Sequence, residues 1–126
     1  AALAQTLPVA DNAYRGQLLT LIDGHCFSTS GHFCALLKHH RIGTLLGSEA
    51  GGTFTCNDGS EQLHLPATRM LIHIPRRSFA AAVEDMEASH GVLPDHEVRQ
   101  RYRDYLEGRD TVMEYAMRLA REQPLR

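Results

Sequence analysis

Two serines stand two residues apart in Phe27-Ser28-Thr29-Ser30-Gly31-His32-Phe33, after the apolar run Leu18-Leu19-Thr20-Leu21-Ile22 and the spacer Asp23-Gly24-His25-Cys26. A hydroxyl at the entrance of a helix has free backbone N–H groups beside it, and those donors, with the helix dipole, favour negative charge. That is what an acyl-transfer site needs: Ser28 as nucleophile, and the N–H of Thr29 to hold the developing oxyanion. The simpler reading is that Ser28 caps the helix and Ser30 decorates its first turn. Further along, Gly51 and Gly52 in Gly47-Ser48-Glu49-Ala50-Gly51-Gly52 would let backbone approach a bound chain closely. No Lys-Ser or Lys-Thr follows these glycines, so they do not form a Walker A loop.

Other reactive side chains offer less. Eight histidines are present, but none forms an HExxH motif and none lies near a CxxC pair, so no zinc and no other cofactor is expected. Cys26, Cys34 and Cys56 are odd in number and read as small, partly buried hydrophobes rather than a disulfide framework. The net charge of −2 gives no basic field for nucleic acid, and no apolar run is long enough to span a bilayer. No charged stretch followed by an apolar one opens the chain in the manner of a signal peptide.

The elements that must position Ser28 follow from the hydrophobic pattern. Residues 17–22 read as a buried strand closed by Asp23-Gly24, and 29–40 as a helix whose apolar face is Phe33, Leu36, Leu37 and His40. Residues 44–46 read as a second strand. Strand, helix and strand within about thirty residues make a βαβ unit with parallel strands, and hence an α/β fold. Residues 61–65 and 69–74 read as two more strands split by Pro66-Ala67. Bulk on both faces of the second predicts cover on both sides. The stretch from Ser78 to Gly91 is helix-compatible by propensity. The last helix covers 111–122, capped by Asp110, with Val112, Ala116 and Leu119 on its core stripe and Pro124 beyond its end.

The stretch from Leu18 to Phe54 resembles the core of the C-terminal-processing, or tail-specific, serine peptidases, in which a strand leads to Ser-x-Ser at a helix and a second strand runs into a glycine loop. His90-Gly91-Val92-Leu93-Pro94-Asp95-His96-Glu97-Val98 is similar to the family's Gly-Val-x-Pro-Asp ending, and the segment from Gly108 to Ala120 to its last helix. The resemblance implies a Clp protease/crotonase-like α/β core, with residues 1–126 as one domain, the C-terminal portion of a longer peptidase core. It implies a polypeptide substrate, Ser28 as nucleophile and Thr29 as oxyanion donor, with Gly51 and Gly52 against the substrate. The family's glutamate after the serine pair is Gly31 here, and the lysine of its Ser-Lys dyad is Thr53. In the tricorn-like branch a glutamate ahead of the Gly-Val-x-Pro-Asp motif orients a histidine; Ala88 holds that place, with Glu87 adjacent as the candidate. The histidine itself would come from sequence upstream, so the chain by itself is expected to be inactive, with His25 and His32 as the local substitutes to examine. The same missing segment predicts an exposed edge or apolar patch and self-association into a homo-oligomer. An exported setting is implied ahead of a cytosolic one. The alternative is a scaffold of the same fold that binds peptides or other ligands without cleaving them.

Overall fold

A computed structural model describes residues 8–59 and 61–122. Strand β1 (Leu19–Ile22) is followed by helix α1 (Thr29–His40) and strand β2 (Thr44–Gly47). β1 and β2 run parallel in a continuous register from Leu19↔Thr44 to Ile22↔Gly47, with α1 as the connection, so the βαβ unit is present. Strands β3 (Thr55–Asn57), β4 (Glu61–His64), β5 (Leu71–Ile74) and β6 (Ser78–Ala80) come next. They are followed by β7 (His96–Glu97) and helices α2 (Tyr102–Leu106) and α3 (Thr111–Glu122). β7 adds to the free side of β2, also parallel, which gives a three-stranded sheet in the order β1-β2-β7.

The sheet is covered on both faces. Leu45 points to one side, into a cluster with Ile22, Cys34, Ala35, Leu37, Ala50 and Val92. Leu46 points to the other, against Ala116 and Leu119 of α3, with Leu19, Leu21 and Tyr115 around them. Successive strand residues face opposite ways, so two adjacent leucines serve two different helices. α3 keeps its expected stripe and its cap: the N–H groups of Val112 and Met113 donate to Asp110 Oδ1 at 3.0 and 2.9 Å.

α1 does not present the expected face. Its buried residues are Gly31, Cys34, Ala35 and Leu37, whereas Phe33 is 55% exposed and Leu36 also reaches solvent. Close approach to the sheet selects the small side chains; of the predicted stripe Leu37 alone is buried, while Phe33, Leu36 and His40 turn outward. The helix ends where Arg41 adopts the left-handed conformation and Ile42 N–H donates to Leu37 O at 2.9 Å.

Two further expectations are overturned. No helix forms in 76–91. Instead β6 pairs antiparallel with β3 from Thr55↔Ala80 to Asn57↔Ser78, and the Asp58 carboxylate accepts the N–H groups of Arg76 and Arg77 at 2.9 and 3.1 Å. Ala81 N–H then donates to Phe54 O at 2.8 Å. Cross-strand pairing outweighs helix propensity, which is a weak preference even where alanine makes it strongest. β5 is not covered on both sides either; every residue in it is exposed, and among the described residues it pairs only with β4.

The Pro-Asp pair of the Gly-Val-x-Pro-Asp segment has a clear mechanical role. Asp95 N–H donates to Leu45 O at 2.8 Å, and Leu45 N–H donates back to Asp95 Oδ2 at 2.8 Å. Lys38 of α1 pairs with the other oxygen. One carboxylate thus ties β2, α1 and the chain entering β7. Burial pushes its pKa up, but the Leu45 N–H and Lys38 outweigh this and hold it below 3.8. Because the folded value lies below the unfolded one, this contribution is complete above the unfolded value and fades as pH falls through the lower folded one. Asp95→Asn keeps an oxygen to accept the Leu45 N–H but loses the charge, and should lower stability by about 0.5–1.5 kcal/mol at pH 7 through a weaker Leu45 bond and the lost, partly solvated Lys38 pair. Urea melts at pH 7 and pH 3 check this: the gap between wild type and variant should narrow at the lower pH.

Candidate active site

The link from β1 to α1 is wound tightly. Cys26 N–H donates to Asp23 O at 2.9 Å and Phe27 N–H to His25 O at 2.8 Å. This delivers Ser28 to the helix start with φ 54° and ψ −120°, a backbone conformation that a residue with a side chain rarely adopts. Such strain costs on the order of 1–3 kcal/mol and persists only where the surroundings enforce it. Ser28 occupies the N-cap position, yet its hydroxyl makes no capping bond. Ser30 N–H is taken by Phe27 O at 3.1 Å, and Ser28 O accepts from His32 N–H at 3.1 Å. Among the described residues the Thr29 N–H has no acceptor, so a donor stands free one residue beyond the unused hydroxyl. Ser30 is exposed on the first turn of α1.

The glycine loop after β2 is what enforces this geometry. Gly52 N–H donates to Cys26 O at 3.0 Å, just before Ser28. A methyl group on Gly52 would lie 3.1 Å from the Ser28 nitrogen and 3.2 Å from the Gly31 Cα. From the other side, a methyl on Gly31 would lie 2.9 Å from the Gly52 backbone, and one on Gly51 would lie 2.1 Å from Gly24 O. Gly31, where the resembled family carries glutamate, is therefore matched to its neighbour: loop and helix touch backbone to backbone. Residues 91–92 brace the loop from behind. Gly91 N–H donates to Glu49 Oε1 at 2.7 Å, Ala50 N–H to Val92 O at 2.9 Å and Val92 N–H to Gly52 O at 3.2 Å.

Other candidates sit further out. Glu87 is exposed and accepts from Ser89 Oγ at 3.1 Å. It lines a cavity of about 310 Å³ together with Thr53, Phe54, Met86 and His90. Thr53 Oγ1 bonds within the loop, to Thr55 O at 3.2 Å and Thr55 Oγ1 at 3.0 Å. Lys38 is held by Asp95, so neither residue serves as a dyad base. His32 Nε2 is buried and has no hydrogen-bond partner among the described residues. His25 is 97% exposed but has an orienting group that sequence reasoning overlooked: Asp23 Oδ1 accepts its N–H at 2.8 Å, and Nδ1 faces Asp23 Oδ2 at 3.3 Å. The backbone N–H of His25 is the main reason the Asp23 carboxyl lies below its usual range. The signal was the Asp-Gly-His spacing, which suits a side chain bonding the N–H two residues on. Cys34 is no rival nucleophile, since burial, with the neighbouring Cys26 thiol, pushes its pKa up to about 11. Among the described residues no three His, Cys, Asp or Glu side chains come together as a metal site.

Comparisons with known proteins bear on the family and the fold. The profile described as "Peptidase family S41" matches residues 2–98. The tricorn protease structure superposes with a TM-score of 0.58 at 21% identity, over 86% of this chain and 10% of the other. A candidate peptidase from Parabacteroides merdae ATCC 43184 superposes with a TM-score of 0.55 at 24% identity, over 84% of this chain and 32% of the other. The present chain thus spans about a tenth and a third of those two proteins. No curated protein sequence matches it.

The backbone contact between loop and helix makes a sharp prediction. Gly31→Ala should force the Gly52 loop away from the helix start and destabilise the protein by roughly 1–3 kcal/mol. Chemical denaturation checks the magnitude. Ser30→Ala, on the exposed side of the same turn, should stay within about 0.5 kcal/mol of wild type.

Proposed function

The chain belongs to peptidase family S41, and we propose that it carries the nucleophile of a serine peptidase whose remaining groups lie on sequence outside these residues. The reading rests on one observation above all: Ser28 is held in strained backbone at a helix start with its hydroxyl unused as a cap. A serine that only capped would accept a backbone N–H and need no left-handed φ.

In this reading Ser28 Oγ attacks the carbonyl carbon of a substrate peptide bond as a base takes its proton. The N–H of Thr29 holds the oxyanion. The C–N bond then breaks, the proton passes to the leaving amine, and water releases the acyl group from Ser28. Gly51 and Gly52 border the nucleophile, where a substrate backbone can lie without meeting a side chain. Glu87 is the candidate orienter of an incoming histidine, since among the described residues its carboxylate engages only Ser89 and it borders the open cavity. The base is assigned to sequence beyond the 126 residues, which form the C-terminal portion of a peptidase core, and the chain alone is inactive. The small share of both similar structures that this chain covers supports that assignment.

A second reading, a scaffold that binds peptides without cleaving them, is favoured by Thr53, whose hydroxyl is engaged within its own loop where a dyad lysine would stand. A fluorophosphonate probe on the full-length gene product separates the two. Labelling is expected in wild type and in Ser30→Ala and lost in Ser28→Ala, with peptide turnover down by roughly 10⁴-fold or more in the latter. Labelling that survives Ser28→Ala would move the nucleophile elsewhere, and an unlabelled wild type would favour the scaffold.

A further inference from the structure

Two thiols meet beside the turn that carries Ser28. All three cysteines are free; Cys34 is buried and Cys26 half-buried. Cys34 belongs to the core cluster under α1, and Cys26 packs against that cluster from the turn before the helix. The two side chains hydrogen-bond to one another, so each thiol has the other as its neighbour. The backbone fixes both sides of this contact. Cys26 N–H donates to Asp23 O at 2.9 Å and Cys26 O accepts from Gly52 N–H at 3.0 Å, while Cys34 is held within α1. Ser28, Thr29, Ser30 and Gly31 all lie between the two cysteines. Cys56, opposite Phe79 in β3, stands outside the pair.

We infer that Cys26 and Cys34 are a redox pair, whose disulfide closes a nine-residue ring around Ser28 and locks the strained turn at the start of α1. The oxidant is a small-molecule disulfide. The Cys26 thiolate, the one that solvent reaches, attacks one sulfur of that molecule, breaks its S–S bond and releases the first small thiol. Cys34 is held protonated by burial and by Cys26, so it acts second. It gives its proton to solvent and attacks Cys26 Sγ, which forms the ring and releases the second small thiol. The two cysteines lose two electrons and two protons, and the small disulfide gains them. Ser28 sits at φ 54°, a conformation that a loosened turn would abandon. A covalent ring across the turn restricts the local opening through which it could do so. The inference stands whether or not Ser28 attacks a peptide bond.

The test is to treat the folded chain with excess oxidised glutathione, block the remaining thiols with iodoacetamide and map the tryptic peptides by mass. Cys26 and Cys34 fall on one peptide, residues 16–38, and Cys56 on another. The first peptide should be unalkylated and lighter by two hydrogen atoms, with Cys56 outside that bond. Cys34→Ala, which nearly preserves the size of the buried side chain, should stop the reaction halfway, with glutathione held on Cys26. Should that variant fail to fold by circular dichroism, Cys34→Ser takes its role. Cys26→Ser should leave Cys34 unmodified by glutathione, and Cys56→Ser should leave the ring closure unchanged. Hydrogen exchange then reads the lock. The amides of Ser30 and His32, bonded to Phe27 O and Ser28 O, should exchange slower by roughly threefold or more in the oxidised chain, and reduction should reverse this. A peptide 16–38 alkylated at both cysteines, a bond that joins Cys56 in preference, no glutathione trapped on Cys26 in the folded variant, or a ring that leaves those two amides unchanged overturns the inference.

Discussion

The contact between Gly52 and Gly31 governs the rest of the site. Two backbones meet where neither can carry a side chain, with a methyl on Gly31 only 2.9 Å from the facing chain. The Gly52 N–H reaches Cys26 O only because the loop can come this near. With the loop on one side and the tight turn from Asp23 on the other, Ser28 is pressed into a conformation that its side chain would otherwise avoid. A hydroxyl that would have capped the helix is thereby left free beside an open N–H. Packing between Gly31 and Gly52 is thus converted into chemistry at Ser28, one helical turn before Gly31.

The close approach depends in turn on the sheet. β2 lies in the centre, and Leu45 and Leu46 are almost wholly removed from water on opposite faces. They bind α1 and α3 to the same strand, so the loop leaving β2 and the helix following β1 are fixed relative to one another. Asp95 locks this arrangement with a backbone exchange to Leu45 and an ion pair to α1. The segment around Gly91 and Val92 then holds the glycine loop from behind. Residues more than forty positions apart in sequence therefore converge on one turn.

Beyond this core the chain is of a different kind. The ribbon of β3 to β6 owes its shape to cross-strand pairing and to the Asp58 carboxylate on two backbone N–H groups. Phe54, just before β3, packs against the core, whereas the outer apolar face of the ribbon is in solvent. Bulk on both faces, with Met70, Ile72 and Ile74 on one and Leu71 and His73 on the other, suggested cover on both sides, yet every residue of β5 is exposed.

What the sequence determined by itself was local or near in the chain. The apolar runs around Leu21 and Leu45, separated by a helical length, imposed parallel pairing because a crossover of that size allows little else. Asp110 marked the start of α3 through its own side chain, and the order of Ser28, the glycine loop and the Gly-Val-x-Pro-Asp segment pointed to a peptidase core. Whether Ser28 caps or stands free was decided only by tertiary structure, because its φ depends on Gly52, a residue brought near by the sheet. The buried face of α1 was decided the same way: periodicity registers bulk, whereas the close approach to the sheet rewards the small residues Gly31, Cys34 and Ala35. Ser78 to Ala80 became a strand because β3 offered partners for their backbone groups, and propensity cannot register a partner more than twenty residues away. Asp23 beside His25, and Asp95 between Leu45 and Lys38, likewise gained their roles from neighbours that only the folded backbone supplies.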